Sequence, residues 1–168
     1  MPAPEPVVFL DRDGTINEPA APGEYIESWD EFRFLPRAPE AIALLRDAGM
    51  RVVVVTNQRG VALGRMTRED VEDIHRRMAA EAPVDAVYYC PHDHGECDCR
   101  KPQPGMLLRA VRELGLGECV MVGDSITDMQ AGAAAGCRRI LIAPEGTRPE
   151  IEVEHVAPSL WDAAVYLN

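Results

Sequence analysis

Two acids spaced i, i+2 end the apolar run Val7-Val8-Phe9-Leu10, in the order Asp11-Arg12-Asp13-Gly14-Thr15. Asp is costly inside a buried strand, so Asp11 marks the point where a strand opens into a crevice. Residues i and i+2 of an extended segment point to one side, and Gly14 lets the chain turn away behind them. A β-turn that only punctuates the strand is the plainer alternative. Thr56-Asn57-Gln58-Arg59-Gly60 then offers a hydroxyl, two amides and a guanidinium, groups suited to phosphate oxygens. Lys101 is the sole lysine among 17 basic residues, which fits a place that needs a compact ammonium and not a guanidinium, although by itself chance survival of one lysine is the plainer reading. Asp11, Asp13 and Asp124 crowded together would repel. A hard divalent ion resolves that, and Mg2+ shared with a substrate phosphate is the natural choice. Asp128, four residues after Asp124, reads as support for that site or as a favourable charge at a helix start.

A second constellation has a different donor set. Cys90, His92, Cys97 and Cys99 place three thiols and an imidazole within ten residues. That spacing closes around one tetrahedral Zn2+, structural because protein fills all four positions. A disulfide competes, but so short a loop would strain it. His94 is the alternative nitrogen, and His92 pairs more symmetrically with the second half of the cluster. The metal would hold the loop leading into Arg100 and Lys101. Cys119 and Cys137 read as buried small hydrophobes.

The elements behind these residues alternate. Strands are expected at 7–10, 51–56, 86–89, 119–122 and 139–142, and helices at 39–48, 67–78, 104–114, 128–135 and 159–167. Such alternation implies βαβ units and a mainly parallel sheet, which gathers Asp11, Thr56, Lys101 and Asp124 at its carboxyl edge. Thr67 reads as an N-cap, with Met66 and Val71 as a hydrophobic staple. Val71, Ile74 and Met78 form a buried stripe, and His75 beside it reads as structural. Residues 16–37 carry no sustained period beyond a short strand at 32–34, which suggests a lid or binding loop. Tyr25 and Trp29 either cover a substrate or pin that loop to the body.

At 168 residues and 46% hydrophobic, the chain is expected to fold as one domain spanning 1–168. Its start, Met1 to Pro6, has neither a basic nor an apolar leader region, and no window suits a membrane span, so a cytoplasmic protein is expected. A net charge of −11 disfavours nucleic acid and anionic membrane. Nothing argues against a monomer.

Taken in order, Asp11-Arg12-Asp13-Gly14-Thr15, Thr56-Asn57-Gln58, Arg100-Lys101-Pro102 and Gly123-Asp124-Ser125-Ile126-Thr127-Asp128 resemble phosphatases of the haloacid dehalogenase superfamily. The Cys/His cluster and Thr56 to Val61 narrow this to its small zinc-containing branch, which includes heptose bisphosphate and histidinol-phosphate phosphatases. The resemblance runs from Val7 to the closing helix. It implies an α/β, Rossmann-like three-layer sandwich with a zinc-stabilised loop and no large cap domain. It also implies Asp11 as nucleophile and Asp13 as acid and base. Mg2+ would bind the Asp11 and Asp124 carboxylates and the Asp13 carbonyl. Thr56 and Lys101 would hold the transferring oxygens. Substrate contacts would come from Gly23, Glu24, Tyr25, Asn57, Gln58, Arg59 and Arg100. The implied activity is hydrolysis of a small phosphorylated substrate, most simply the 7-phosphate of D-glycero-D-manno-heptose 1,7-bisphosphate. Arg59 to Ala62 and Gly105 to Leu108 favour that side of the branch. The four residues between His92 and Cys97 are closer to the histidinol-phosphate type, and Ser125 stands where some relatives have a substrate-binding Lys, so histidinol phosphate is the alternative substrate. A non-enzymatic receiver-like or zinc-dependent binding module is the alternative of another class.

Overall fold

A computed structural model of the chain describes residues 2–168; Met1, the first residue of the proline-rich start, lies outside them. Six strands form one sheet: β1 Glu5–Leu10, β2 Arg51–Asn57, β3 Ala86–Cys90, β4 Leu116–Gly123, β5 Arg138–Ile142 and β6 His155–Ala157. Their spatial order is β3-β2-β1-β4-β5-β6, and every pairing is parallel. The chain therefore leaves β1 toward one edge and later returns to pair β4 on its other side. That reversal opens a crevice beyond the carboxyl end of β1.

Alternation along β1 sorts the core into two layers. Val8 and Leu10 face α1 Ala38–Asp47, α2 Arg68–Glu81 and α5 Leu160–Leu167, whose Ile42, Leu45, Ile74, Met78 and Leu160 fill that side. Val7 and Phe9 face α3 Gly105–Leu114 and α4 Ile126–Ala134 through Leu107, Ala110 and Met129. With both faces covered, β1 and β2 tolerate continuous apolar runs, each large side chain contributing about 1.5–3 kcal/mol on burial. The result is the expected three-layer, Rossmann-like arrangement. No described helix is long and apolar enough to cross a membrane.

Several local expectations need correction. α4 starts at Ile126, not Asp128, because Ser125 caps it and Asp128 occupies its third position. Residues 32–34 are not a strand. A 3-10 turn at Trp29–Glu31 precedes them, and Phe34 makes only an isolated bridge to Asn17. Trp29 stacks on Phe32 at 4.8 Å and meets Phe34 edge-on at 6.4 Å, so this ring pins the connection to the body. The short β6 was not anticipated. Cys119 and Cys137 form a disulfide and are not separate buried thiols, because β4 and the entry to β5 run side by side and bring their Cα atoms to 4.7 Å.

Candidate active site

Asp11 sits one residue past β1, and its backbone N–H still donates to the Val122 carbonyl of β4 at 3.1 Å. The side chain is thereby fixed at the mouth of the crevice, nearly buried. Behind it, the amides of Thr15, Ile16 and Asn17 all donate to the Arg12 carbonyl, a tight turn that Gly14 enters at φ +89°. The turn presses against the neighbouring loop so closely that a Cβ on Gly14 would overlap the Asp124 carboxylate.

Lys101 reaches this mouth from the end of the loop that carries Cys97 and Cys99. Its ammonium donates to Asp11 Oδ1 at 2.8 Å, to Asp128 Oδ1 at 2.7 Å and to the Val55 carbonyl at 2.8 Å, which uses all three of its protons. Asn57 holds the backbone of the same residue from both sides, donating to its carbonyl at 3.1 Å and accepting from its N–H at 3.0 Å. Burial alone would weaken the charged form of Lys101, but the Asp11 and Asp128 carboxylates outweigh it and raise its pKa. Asp11 is also pushed well up, first by burial and then by Asp128, against the pull of Lys101. Burial and then Asp128 likewise raise Asp124.

Oxygens of Asp11, Asp124 and Asp128 lie within 4.8 Å of one another. Three carboxylates against one ammonium leave an excess of negative charge that a hard divalent cation fits. Asp128 is already committed twice, since its second oxygen accepts from the Ser125 N–H at 3.1 Å while Oδ1 holds Lys101. Asp11 and Asp124 are therefore the carboxylates free to take a metal.

Asp13 is held by donors alone. Arg12 Nε and Nη2 approach Oδ1 at 3.0 and 2.9 Å, Asn17 Nδ2 adds 2.8 Å, and Gln58 Nε2 reaches Oδ2 at 3.2 Å. Gln58 also donates to the buried Thr56 hydroxyl at 2.9 Å, tying the end of β2 to the acid turn. Arg12 and Asn17 were not anticipated. Arg12 stands between the two acids, where only its complete burial shows that it works inward.

The expected substrate contacts divide. A cavity of about 220 Å³ is lined by Asn57, His94, Arg100, Lys101, Gln103 and Thr127. Arg100 donates from Nε to His94 at 3.3 Å, while its Nη1 is buried without a partner. Gln58 is turned inward to Asp13 and Thr56. Arg59 is occupied by Asp93 of the loop between Cys90 and Cys97 at 2.6 Å. Gly23 and Glu24 lie exposed, Glu24 paired with Arg65 at 3.3 Å, and Tyr25 packs half-buried over Gly60. A larger hollow of about 680 Å³ runs beside β3 and the loop of His92 to Cys99 and includes none of the site acids.

The second cluster closes as expected with His92; His94 is turned to Arg100. Cys99 to Cys90, His92 to Cys99, His92 to Cys90 and Cys97 to Cys90 measure 3.1, 3.3, 3.4 and 3.5 Å. A tetrahedron around zinc has edges of roughly 3.8 Å, so small outward shifts would admit the ion. Burial raises the thiols of Cys90 and Cys99, a cost that a cation bound to their thiolates would offset.

Residues 5–136 match the hydrolase family described as haloacid dehalogenase-like hydrolase. A D-glycero-D-manno-heptose-1,7-bisphosphate 7-phosphatase of Chlorobaculum tepidum is 38% identical, over 94% of this chain and 91% of its own. A D-glycero-alpha-D-manno-heptose-1,7-bisphosphate 7-phosphatase of Mycobacterium bovis is 37% identical over 94% and 89%. Among solved structures, the D,D-heptose 1,7-bisphosphate phosphatase of B. bronchiseptica, complexed with magnesium and phosphate, aligns with a TM-score of 0.81. It is 35% identical and covers 97% of both chains.

Proposed function

The chain belongs to the haloacid dehalogenase-like hydrolases, and on that footing we propose that residues 1–168 form one phosphatase domain that removes the 7-phosphate of D-glycero-D-manno-heptose 1,7-bisphosphate. The observation that carries this reading is the meeting of Asp11, Lys101 and Asp124 at the end of β1, with Asp13 two residues away.

Asp11 attacks phosphorus, and the bond to the sugar oxygen breaks as an aspartyl phosphate forms. Asp13 gives that oxygen its proton and then, as a carboxylate, takes one from the water that cleaves the acyl phosphate. The positive charge of Lys101 and the Thr56 hydroxyl steady the phosphoryl oxygens, with Asn57 and Asp128 keeping Lys101 in place. Asp11, Asp124 and the Asp13 carbonyl would hold Mg2+, which supplies charge neutralisation for nucleophile and phosphate. Arg100, which lines the cavity beside Lys101, contacts the rest of the substrate together with the loop of Gly23 to Tyr25. Gln58 and Arg59 act from behind, through Asp13 and the zinc loop. Cys90, His92, Cys97 and Cys99 hold a structural Zn2+. The setting is cytoplasmic and the working unit a monomer, with no nucleic-acid or membrane partner.

Asp11→Asn tests the chemistry: Mg2+-dependent hydrolysis of p-nitrophenyl phosphate should vanish, and full retention would sink the aspartyl-phosphate mechanism. The substrate is tested by kcat/KM on heptose 1,7-bisphosphate against histidinol phosphate. The short span from His92 to Cys97 favours the second substrate, and a clear preference for it would replace the first.

A further inference from the structure

Behind Asp13 lies a buried pair that the phosphoryl chemistry leaves unused. Arg12 is wholly withdrawn from solvent, and its third contact, Nη1, meets His75 Nε2 of α2 at 3.2 Å. A guanidinium has only donors, so Nε2 must accept and the imidazole proton must sit on Nδ1. Burial, and then the adjacent Arg12 charge, lower the His75 pKa to about 3, which keeps the ring neutral at ordinary pH. Among the described residues Asp13 is the only carboxylate paired with Arg12. The Phe32 ring lies 6.0 Å from the guanidinium. The Tyr89 ring lies 5.8 Å from His75, with its hydroxyl donated to Glu72 at 2.9 Å.

The donors are spread unevenly over Asp13. Oδ1 takes three contacts of 2.8 to 3.0 Å, whereas Oδ2 takes two of 3.1 and 3.2 Å and faces Gln58, which bridges to Thr56. Oδ1 is thereby the more firmly held, and Oδ2, with fewer and longer contacts, is the oxygen better placed to carry a proton on the side of the Thr56 hydroxyl.

We propose that His75 is a positioning residue for proton transfer: it supplies the acceptor that sets the roll of the Arg12 fork, and the fork in turn aims Asp13 Oδ2 at the departing oxygen. The inference rests on Asp13 being the acid. As the P–O bond breaks, its electron pair stays on the sugar oxygen, which takes the Oδ2 proton. The Asp13 carboxylate that remains is the form Arg12 holds best.

An alkoxide needs that proton to leave and a nitrophenolate does not, so the two substrate types separate aiming from general damage. The quantity to compare is kcat/KM, which covers the steps through leaving-group departure and excludes the later attack of water. Asp13→Asn should lower kcat/KM for heptose 1,7-bisphosphate at least about 100-fold more than for p-nitrophenyl phosphate. His75→Leu should show the same selectivity at about 10-fold, and His75→Gln, whose amide oxygen can accept from Arg12, should recover most of it. Equal losses on both substrates in His75→Leu, with Asp13→Asn selective, would overturn the positioning role. An unselective Asp13→Asn would overturn the acid assignment instead. If Leu at 75 prevents folding, Arg12→Lys keeps the charge but loses the fork, and it must show the selective loss; equal losses there also overturn the proposal.

Discussion

Lys101 and Asp128 are locked together inside the protein: Nζ lies 2.7 Å from Oδ1, with both side chains almost fully buried. The same carboxylate caps α4 through its other oxygen, so one residue ties the helix start to the ammonium beside Asp11. Asp128→Ala removes both ties and leaves a buried charge with fewer partners. A loss of about 3–5 kcal/mol in denaturant stability is expected, with kcat down by 10-fold or more. Ser125→Ala removes only the cap and should cost about 1 kcal/mol with near-normal kcat. Equal effects of the two substitutions would separate Asp128 from the chemistry.

Gly14→Ala should act on metal affinity. The added methyl would meet the Asp124 carboxylate, and the backbone φ of +89° disfavours a side chain. We expect the Mg2+ concentration for half-maximal activity to rise about 10-fold, the equivalent of roughly 1.4 kcal/mol. An unchanged Mg2+ titration would remove Asp124 from the metal site.

Purified protein should contain about one equivalent of zinc per chain, lost in Cys97→Ser. The loop concerned carries Asp93, which grips Arg59 at 2.6 Å, and runs directly into Arg100. Zinc removal should therefore lower Tm and raise KM several-fold. Metal analysis showing no zinc in a folded, active protein would refute the assignment.

His75 makes stability depend on acid. In the unfolded chain it takes up a proton near its ordinary value of 6.5, whereas the folded form resists until about 3. The unfolded state binds more protons between these values, so stability falls as pH drops through that window, by up to about 1.4 kcal/mol per pH unit. Urea midpoints at about pH 7 and about pH 5 should differ less in His75→Gln than in the parent. Identical slopes would show that other groups govern the acid limb.

The β-branched and apolar runs of β1 and β2 left little freedom in their reading, and a parallel sheet followed from their spacing to the helices. Asp11, Thr56, Lys101 and Asp124 were legible because they stop such runs or follow them. Residues that work through a partner were not. Nothing adjacent to Arg12 announces His75, 63 positions away, and Asn57 and Arg59 look like substrate groups until Lys101 and Asp93 are seen to occupy them. β6 has three residues after an acidic stretch, too few to show a period. The Cys119 and Cys137 pair depends on strand adjacency, which their 18-residue separation does not reveal.

The order β2-β1-β4 has a further consequence. Neighbouring strands stand about 4.8 Å apart, so Thr56, Asp11 and Asp124 are set on a ruler whose pitch comes from backbone hydrogen bonds alone. Among the described residues, neither the 18–37 connection nor residues 92–98 share a side-chain hydrogen bond with these three residues. In the proposed reaction, exchanging either for a segment of another length would re-tailor which molecule is admitted while leaving the spacing of Thr56, Asp11 and Asp124 untouched. Under the proposed mechanism, attack on phosphorus and choice of substrate are thus separable parts, available for independent redesign.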